Sequence, residues 1–397
     1  MARLKKGFNM SLSRRSFVRT VGAGAAATWV ASRGREGSRF GAESLLAQER
    51  DIKPGNAIIL SSNENPLGTH KDVLAAIRSA AFPEAGRYPF ATADEVTALL
   101  ARKNGVKPEN VLLGSGSTQI LRTCTHVFTT KTAGLVAPLP AYEECADYAR
   151  LIGHPLTGVK LTDKLYMDLD AMQAAAKGAG LVFYCNPNNP VATAINGTDT
   201  RAYLASLQKR SPNTTVLVDE AYFEYGTMAG YETMIPVAVA NPRVVVARTF
   251  SKCFGMAGIR MGYAIGHTDT IAKMAAWDDT GAISVIALQG AKAALAVDPK
   301  WLDEEKKRNA AARAFTQKWF QDKGYATTDS QSNFMFINIK RPASDFRNAC
   351  LAEGVSVGRD FPPYEKTHCR ISVGTMAEMQ KAVEVFGRAL AKPAAAA

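Results

Sequence analysis

Val244-Val245-Val246-Ala247-Arg248-Thr249-Phe250-Ser251-Lys252, continued by Cys253-Phe254-Gly255-Met256-Ala257-Gly258-Ile259-Arg260, is the stretch from which the rest of the chain is read. Its opening apolar, β-branched run has the character of a buried strand. Past the strand come hydroxyls, a lysine, two glycines and an arginine. A lysine just beyond a core strand, among small residues, loses hydration, and its pKa falls. That is how an amine becomes a nucleophile toward a carbonyl. A lone lysine in a turn is more commonly a surface residue, so the reading depends on what the other strand ends supply.

Working outward, the same pattern recurs. Val111-Leu112-Leu113 runs into Gly114-Ser115-Gly116-Ser117-Thr118, and Leu135-Val136-Ala137 into Pro138-Leu139-Pro140-Ala141-Tyr142. Leu181-Val182-Phe183-Tyr184 precedes Cys185-Asn186-Pro187-Asn188-Asn189-Pro190, and Val216-Leu217-Val218 ends at Asp219-Glu220-Ala221-Tyr222. Helical spacing is found over 73–81, 93–102 and 119–128, and Gly262-Tyr263-Ala264-Ile265 reads as an antiparallel return. Apolar strands alternating with helices imply an α/β sheet covered on both faces, with ligands beyond the carboxyl ends of its strands.

Each strand end offers a different chemistry. The Gly114–Thr118 loop opens a helix whose free N–H groups suit a phosphate, although no Walker lysine follows. Thr249, Ser251 and Arg260 add hydroxyls and a cation. Asp219, closing an apolar strand, needs a cationic partner, which a protonated ring nitrogen provides. Tyr222 and Asn189 suit an adjacent ring oxygen, and Tyr142 suits a ring face. Arg370, in Cys369-Arg370-Ile371-Ser372-Val373, carries the rigid fork that grips a carboxylate. Amine, carboxylate, phosphate cradle, aromatic cover and carboxylate clamp together describe a lysine-bound pyridoxal phosphate site.

After about residue 297 the texture changes to a charged amphipathic helix over 303–320, two strands expected to have one wet face (Phe334–Ile337 and Cys369–Val373), and a closing helix over 376–390. This reads as a smaller α+β domain. The expected division is 85–296 for the large cofactor-binding domain, 48–84 with 297–392 for the small one, and a frayed tail at 393–397.

Residues 1–47 read as an address. Ser13-Arg14-Arg15-Ser16-Phe17-Val18-Arg19 precedes a weakly apolar stretch, as in twin-arginine export signals, and implies a periplasmic protein. Gly22-Ala23-Gly24-Ala25-Ala26-Ala27 matches a dinucleotide fingerprint only as a string, because no strand precedes it. The formal charge of +12 is concentrated here, with nine Lys/Arg against two Asp/Glu, leaving 39 against 34 in the remainder. There is no basic stripe interleaved with aromatics, so nucleic acid is not an expected partner. No apolar run has the length of a spanning helix. The six cysteines show no metal spacing, and no disulfide is assignable from them.

On these motifs the chain, from about Ile58 to Leu390, resembles the fold-type I pyridoxal phosphate aminotransferases of class I/II, most closely histidinol-phosphate aminotransferases. The markers are Ser62-Asn63-Glu64-Asn65-Pro66-Leu67-Gly68, Arg87-Tyr88-Pro89, Gly114–Thr118, Asn186–Pro190, Val218–Tyr222, Ser251-Lys252 and Arg370–Gly374. The resemblance implies a mostly parallel seven-stranded sheet sandwiched by helices, plus a smaller α+β domain. It implies amino transfer from an L-amino acid to a 2-oxo acid by ping-pong steps. Lys252 would hold the cofactor and carry the proton, and Asp219 would face the ring nitrogen. Asn189 and Tyr222 would bind the ring hydroxyl, with Tyr142 stacked on the ring. Ser117, Thr118, Thr249, Ser251 and Arg260 would hold the phosphate, joined by Tyr88 from the other subunit of a homodimer. Arg370 would take the substrate carboxylate, with Asn65 on the substrate side. Two departures stand out: Asn189-Pro190-Val191-Ala192 where the family usually reads Asn-Pro-Thr-Gly, and Thr118-Gln119 in place of an acidic pair. A decarboxylase or racemase would share this site, and a non-catalytic cofactor-binding module is the reading from another class.

Overall fold

The computed structural model describes residues 57–277 and 283–391; the signal-like segment and the tail lie outside the described residues. Its strands are β1 (Ile58–Leu60), β2 (Val111–Gly114), β3 (Leu135–Leu139), β4 (Leu156–Lys160), β5 (Leu181–Cys185), β6 (Thr215–Asp219), β7 (Val244–Thr249), β8 (Gly262–Gly266), β9 (Phe334–Asn338), β10 (Val355–Val357) and β11 (His368–Ser372). Seven of these form one sheet in the order β2-β8-β7-β6-β5-β3-β4. β8 runs antiparallel to both its neighbours, as its sequence suggested, while the rest are parallel. The carboxyl ends of β2, β3, β5, β6 and β7 therefore lie along one edge, and the chemistry-bearing residues follow them.

Strand periodicity sends alternate side chains to opposite faces. Val244 and Val246, Val216 and Val218, and Val182 and Tyr184 enter one core. Val245 and Ala247, Leu217, and Phe183 and Cys185 enter a second core with Ile120, Leu121 and Cys124 of helix Ser117–Phe128. Asp219 keeps the parity of Leu217, and Thr249 that of Ala247, so both sit toward the face covered by that helix.

A third core joins Leu60, Val355 and Val357 of the parallel β1–β10 pair to Met335, Ile337, Cys369 and Ile371 of the antiparallel β9–β11 pair. Helices Pro299–Asp322, Ala343–Leu351 and Met376–Ala391 close it. The wet face expected for β9 and β11 is absent, because both strands are buried on both sides. Their second face, with Phe334, Phe336, Arg370 and Ser372, closes on the carboxyl edge of the large sheet: Phe334 packs against Tyr222 and Ala192, and Phe336 joins the sheet's core. Helix Lys71–Ala81 packs along helix Val285–Ala296, with Val73 in the sheet's core. The boundary expected at 84 therefore cuts a packed helix pair.

Candidate active site

Lys252 lies three residues past β7, half-buried, its Nζ 3.4 Å from the Ser62 carbonyl oxygen and 5.6 Å from the Tyr222 ring centre. Burial foremost, with the positive charge of Arg370 next, lowers its pKa to about 8; Glu64 pulls the other way. Asp219 is 3% exposed. Its Oδ1 accepts from the Ala221 N–H at 3.1 Å, and the Cys185 thiol lies 4.0 Å from Oδ2. Burial raises its pKa to about 7, helped by Glu220 and opposed by the Ala221 N–H and by Lys252. A carboxylate this deep without a hydrogen-bonded cation is held close to neutrality.

The contrast with the next residue is informative. Glu220 is equally buried, but Arg248 donates to its Oε2 at 2.8 and 3.0 Å, Thr233 Oγ1 at 2.8 Å, and Met234 N–H to its Oε1 at 2.7 Å. That pair is complete and structural. Asp219, by contrast, has no ion pair among the described residues, only the Ala221 N–H and the Cys185 thiol.

The phosphate-type loop is built by close approach. Gly116 (φ +75°) precedes helix Ser117–Phe128, and a Cβ on it would strike the Arg260 guanidinium. A Cβ on Gly262 would come within 2.3 Å of the Ser117 nitrogen. Gly262 pairs with Gly114 on one side and Thr249 on the other, which brings the β2 loop and the β7 hydroxyls to one spot. There Arg260 donates to Thr118 Oγ1 at 3.4 Å, and Thr249 Oγ1 to Ser251 Oγ at 2.9 Å. Gln119, at the family's acidic position, accepts from the Ser115 N–H at 2.6 Å, so the loop is closed by a neutral group.

Arg370 is buried. It donates through Nη1 to Asn189 Oδ1 at 2.9 Å and through Nη2 to the Ser61 carbonyl, and its buried Nε has no partner. Its guanidinium lies over Phe361 and Phe334, 4.7 and 5.7 Å from the ring centres. Burial lowers its pKa to about 10. Tyr142 is half-buried against the core on the Asp219 side of the sheet. Ala192, where the family's glycine is usual, takes a left-handed φ of +65°, and its N–H donates to Asn188 O at 2.7 Å, so the turn persists.

The remaining two expected residues are held differently. Tyr88 is 82% exposed and stacked on Phe90, outside the cluster of its own chain. Asn65 spends its amide on scaffolding, with Nδ2 donating to Cys253 O at 3.1 Å and Oδ1 accepting from Leu67 N–H at 3.0 Å. Asn63, not singled out from the sequence, is at the centre. Its Nδ2 donates to Tyr222 Oη at 3.2 Å, and its N–H and Oδ1 both bond Ser372 Oγ at 2.8 Å. The only signal was its place in the Ser62–Gly68 run; the partners are distant in sequence. All six cysteines are buried free thiols.

A poised amine, a buried carboxylate with no cation bonded to it among the described residues, and a glycine-shaped anion cradle fit pyridoxal phosphate and point to an enzyme of that cofactor. The aminotransferase class I and II family model matches residues 56–386, and the chain belongs to that family. A histidinol-phosphate aminotransferase of Symbiobacterium thermophilum is 33% identical over 86% of this chain and 93% of its own. An aromatic amino acid aminotransferase of Cutibacterium acnes is 29% identical over 84% and 93%. The structure of the Sinorhizobium meliloti histidinol-phosphate aminotransferase in complex with pyridoxal-5'-phosphate aligns with a TM-score of 0.79 at 27% identity, covering 87% of this chain and 94% of that one. The protein is a pyridoxal phosphate-dependent aminotransferase, moving an amino group between amino and 2-oxo acids.

Proposed function

We propose that Lys252 anchors the cofactor and, once released, carries the proton at the substrate α-carbon, while Arg370 receives the α-carboxylate. The observation that carries this reading is the opposed pair of environments: an amine with its pKa near 8 and a carboxylate with its pKa near 7, both set by burial. When bound, pyridoxal phosphate supplies a carbonyl for the amino group and a ring that accepts electrons from the α-carbon. Asp219 would face the ring nitrogen and hold it protonated, the cation offsetting the cost of the buried carboxylate. Tyr222, oriented by Asn63, and Asn189, oriented by Arg370, hold the ring oxygen. Ser117, Thr118, Thr249, Ser251 and Arg260 bind the phosphate. A neutral Lys252 amine positioned at the α-carbon contributes roughly 10²–10⁴-fold as a general acid–base.

The test is borohydride fixation of the holoenzyme followed by peptide mapping. The label is expected at Lys252, and Lys252→Ala should lose both label and amino transfer. A label at another lysine overturns the assignment. Accumulation of aminated cofactor with an amino donor alone, reversed by an oxo acid, reads the ping-pong half-reactions separately.

The paired Arg14-Arg15 ahead of an apolar stretch support export to the periplasm with the cofactor already loaded. Arg14→Lys with Arg15→Lys should hold the protein in the cytoplasmic fraction, and an unchanged distribution refutes that location.

A further inference from the structure

Arg370 is not the only guanidinium at the substrate end of the site. Arg359, two residues past β10, lies over the same Phe361 ring, 4.4 Å from its centre. The two arginines are held very differently. Arg370 is buried and fixed by Asn189 and Ser61. Arg359 is about one-third exposed and paired through Nη2 with Glu143 Oε1. Glu143 follows Tyr142 directly, so the pair joins the loop after β3 to the loop after β10.

Neighbouring carboxylates do not share this duty. Glu144 pairs with Arg122, and the Asp360 side chain pairs with Arg347 at 2.6 Å; only the Asp360 carbonyl meets Arg359, at 3.1 Å. Without Glu143, a substrate bound at Arg370 would face two cations, an arrangement that favours a dianion. With it, one unmatched positive charge remains for one carboxylate, and Phe361 and Phe334 beside it are apolar. Both Arg359 and Glu143 are close enough to weigh on the ionisation of Arg370, in opposite directions.

We propose that Glu143 sets the charge preference of the side-chain subsite: by occupying Arg359 it directs the enzyme toward amino and oxo acids with uncharged, apolar or aromatic side chains. The proposal rests on Arg370 as the α-carboxylate site. Glu143 acts through another side chain and by repulsion, which is selection against the wrong partner.

Calorimetric binding to the holoenzyme tests it with two acids that carry no amino group and do not react: glutarate, a dianion, and 3-phenylpropanoate, a monoanion. Wild type is expected to favour 3-phenylpropanoate. Glu143→Gln should shift the affinity ratio toward glutarate by about three- to tenfold, the range of a partly exposed ion pair together with the lost repulsion. The shift should vanish in Glu143→Gln with Arg359→Gln. The kcat/KM ratio for L-glutamate over L-phenylalanine should move in the same direction. An affinity ratio unmoved by Glu143→Gln, or a gain that survives the loss of Arg359, overturns the proposal. Failure of the carboxylate assignment looks different: Arg370→Gln would then leave binding of both acids intact.

Discussion

Asp219 is stable in its place only as a neutral acid or beside a cation, and this has a measurable consequence. Its folded pKa of about 7 lies above its ordinary value, so between about pH 4 and 7 the folded chain keeps a proton that the unfolded chain has released. Its contribution to the cofactor-free protein is favourable below that window and is lost as pH rises through 7. Asp219→Asn removes the penalty. The cofactor-free variant should be about 1–3 kcal/mol more stable than wild type at pH 8, with the difference shrinking toward pH 4. Urea unfolding at the two pH values measures this, and equal midpoints at pH 8 contradict it. The same variant should bind pyridoxal phosphate more weakly, because the ring nitrogen loses its anion. Lys252 and Asp219 were legible because their residue type and strand-end position already specify chemistry. Asn63 was not, since its function lies in contacts with Tyr222 and Ser372, far away in sequence. Asn63→Ala should lower kcat more than it raises KM, because the Tyr222 hydroxyl loses the donor that orients it; a loss of stability with unchanged kcat and KM would mean a merely structural role.

At the scale of elements, the parallel strands were legible because strands buried on both faces are continuous apolar runs. β4 was not, because Leu156-Thr157-Gly158-Val159-Lys160 is an edge strand with mixed exposure and no such run. The expected wet face of β9 and β11 failed for a related reason. Ser372 and Arg370 are polar because the site needs them, not because water covers them. The packing of Lys71–Ala81 against Val285–Ala296 is likewise a long-range choice that helical periodicity leaves open. The element most exposed to a single substitution is the β8 entry. Gly262→Ala places a methyl against the Ser117 backbone, where no flexible side chain is available to yield. Helix Ser117–Phe128 has to move, at a cost of about 2–4 kcal/mol. Cofactor affinity should fall with it, whereas Gly258→Ala, open on all sides, should change neither. Thermal unfolding and cofactor titration of the two variants decide whether the loop is set by that contact.

For the whole molecule, the question is what covers Tyr88. It is exposed and stacked on Phe90, which is itself exposed. Large apolar side chains grouped in this way mark an interaction surface, and the family resemblance assigns Tyr88 to the phosphate of a neighbouring subunit. A homodimer with shared sites makes a quantitative prediction that a monomer does not. Tyr88→Ala and Lys252→Ala should each be severely impaired alone. When the two are unfolded together, mixed in equal amounts and refolded with cofactor, half of the dimers are mixed. Each mixed dimer has one site with both faults and one with neither, so about a quarter of wild-type activity returns. If Tyr88 serves its own chain, every Lys252-bearing site in the mixture lacks its tyrosine and mixing restores nothing. Light scattering on the same samples separates the two ways this can fail. A dimer without complementation removes Tyr88 from the site, and a monomer removes the shared site altogether.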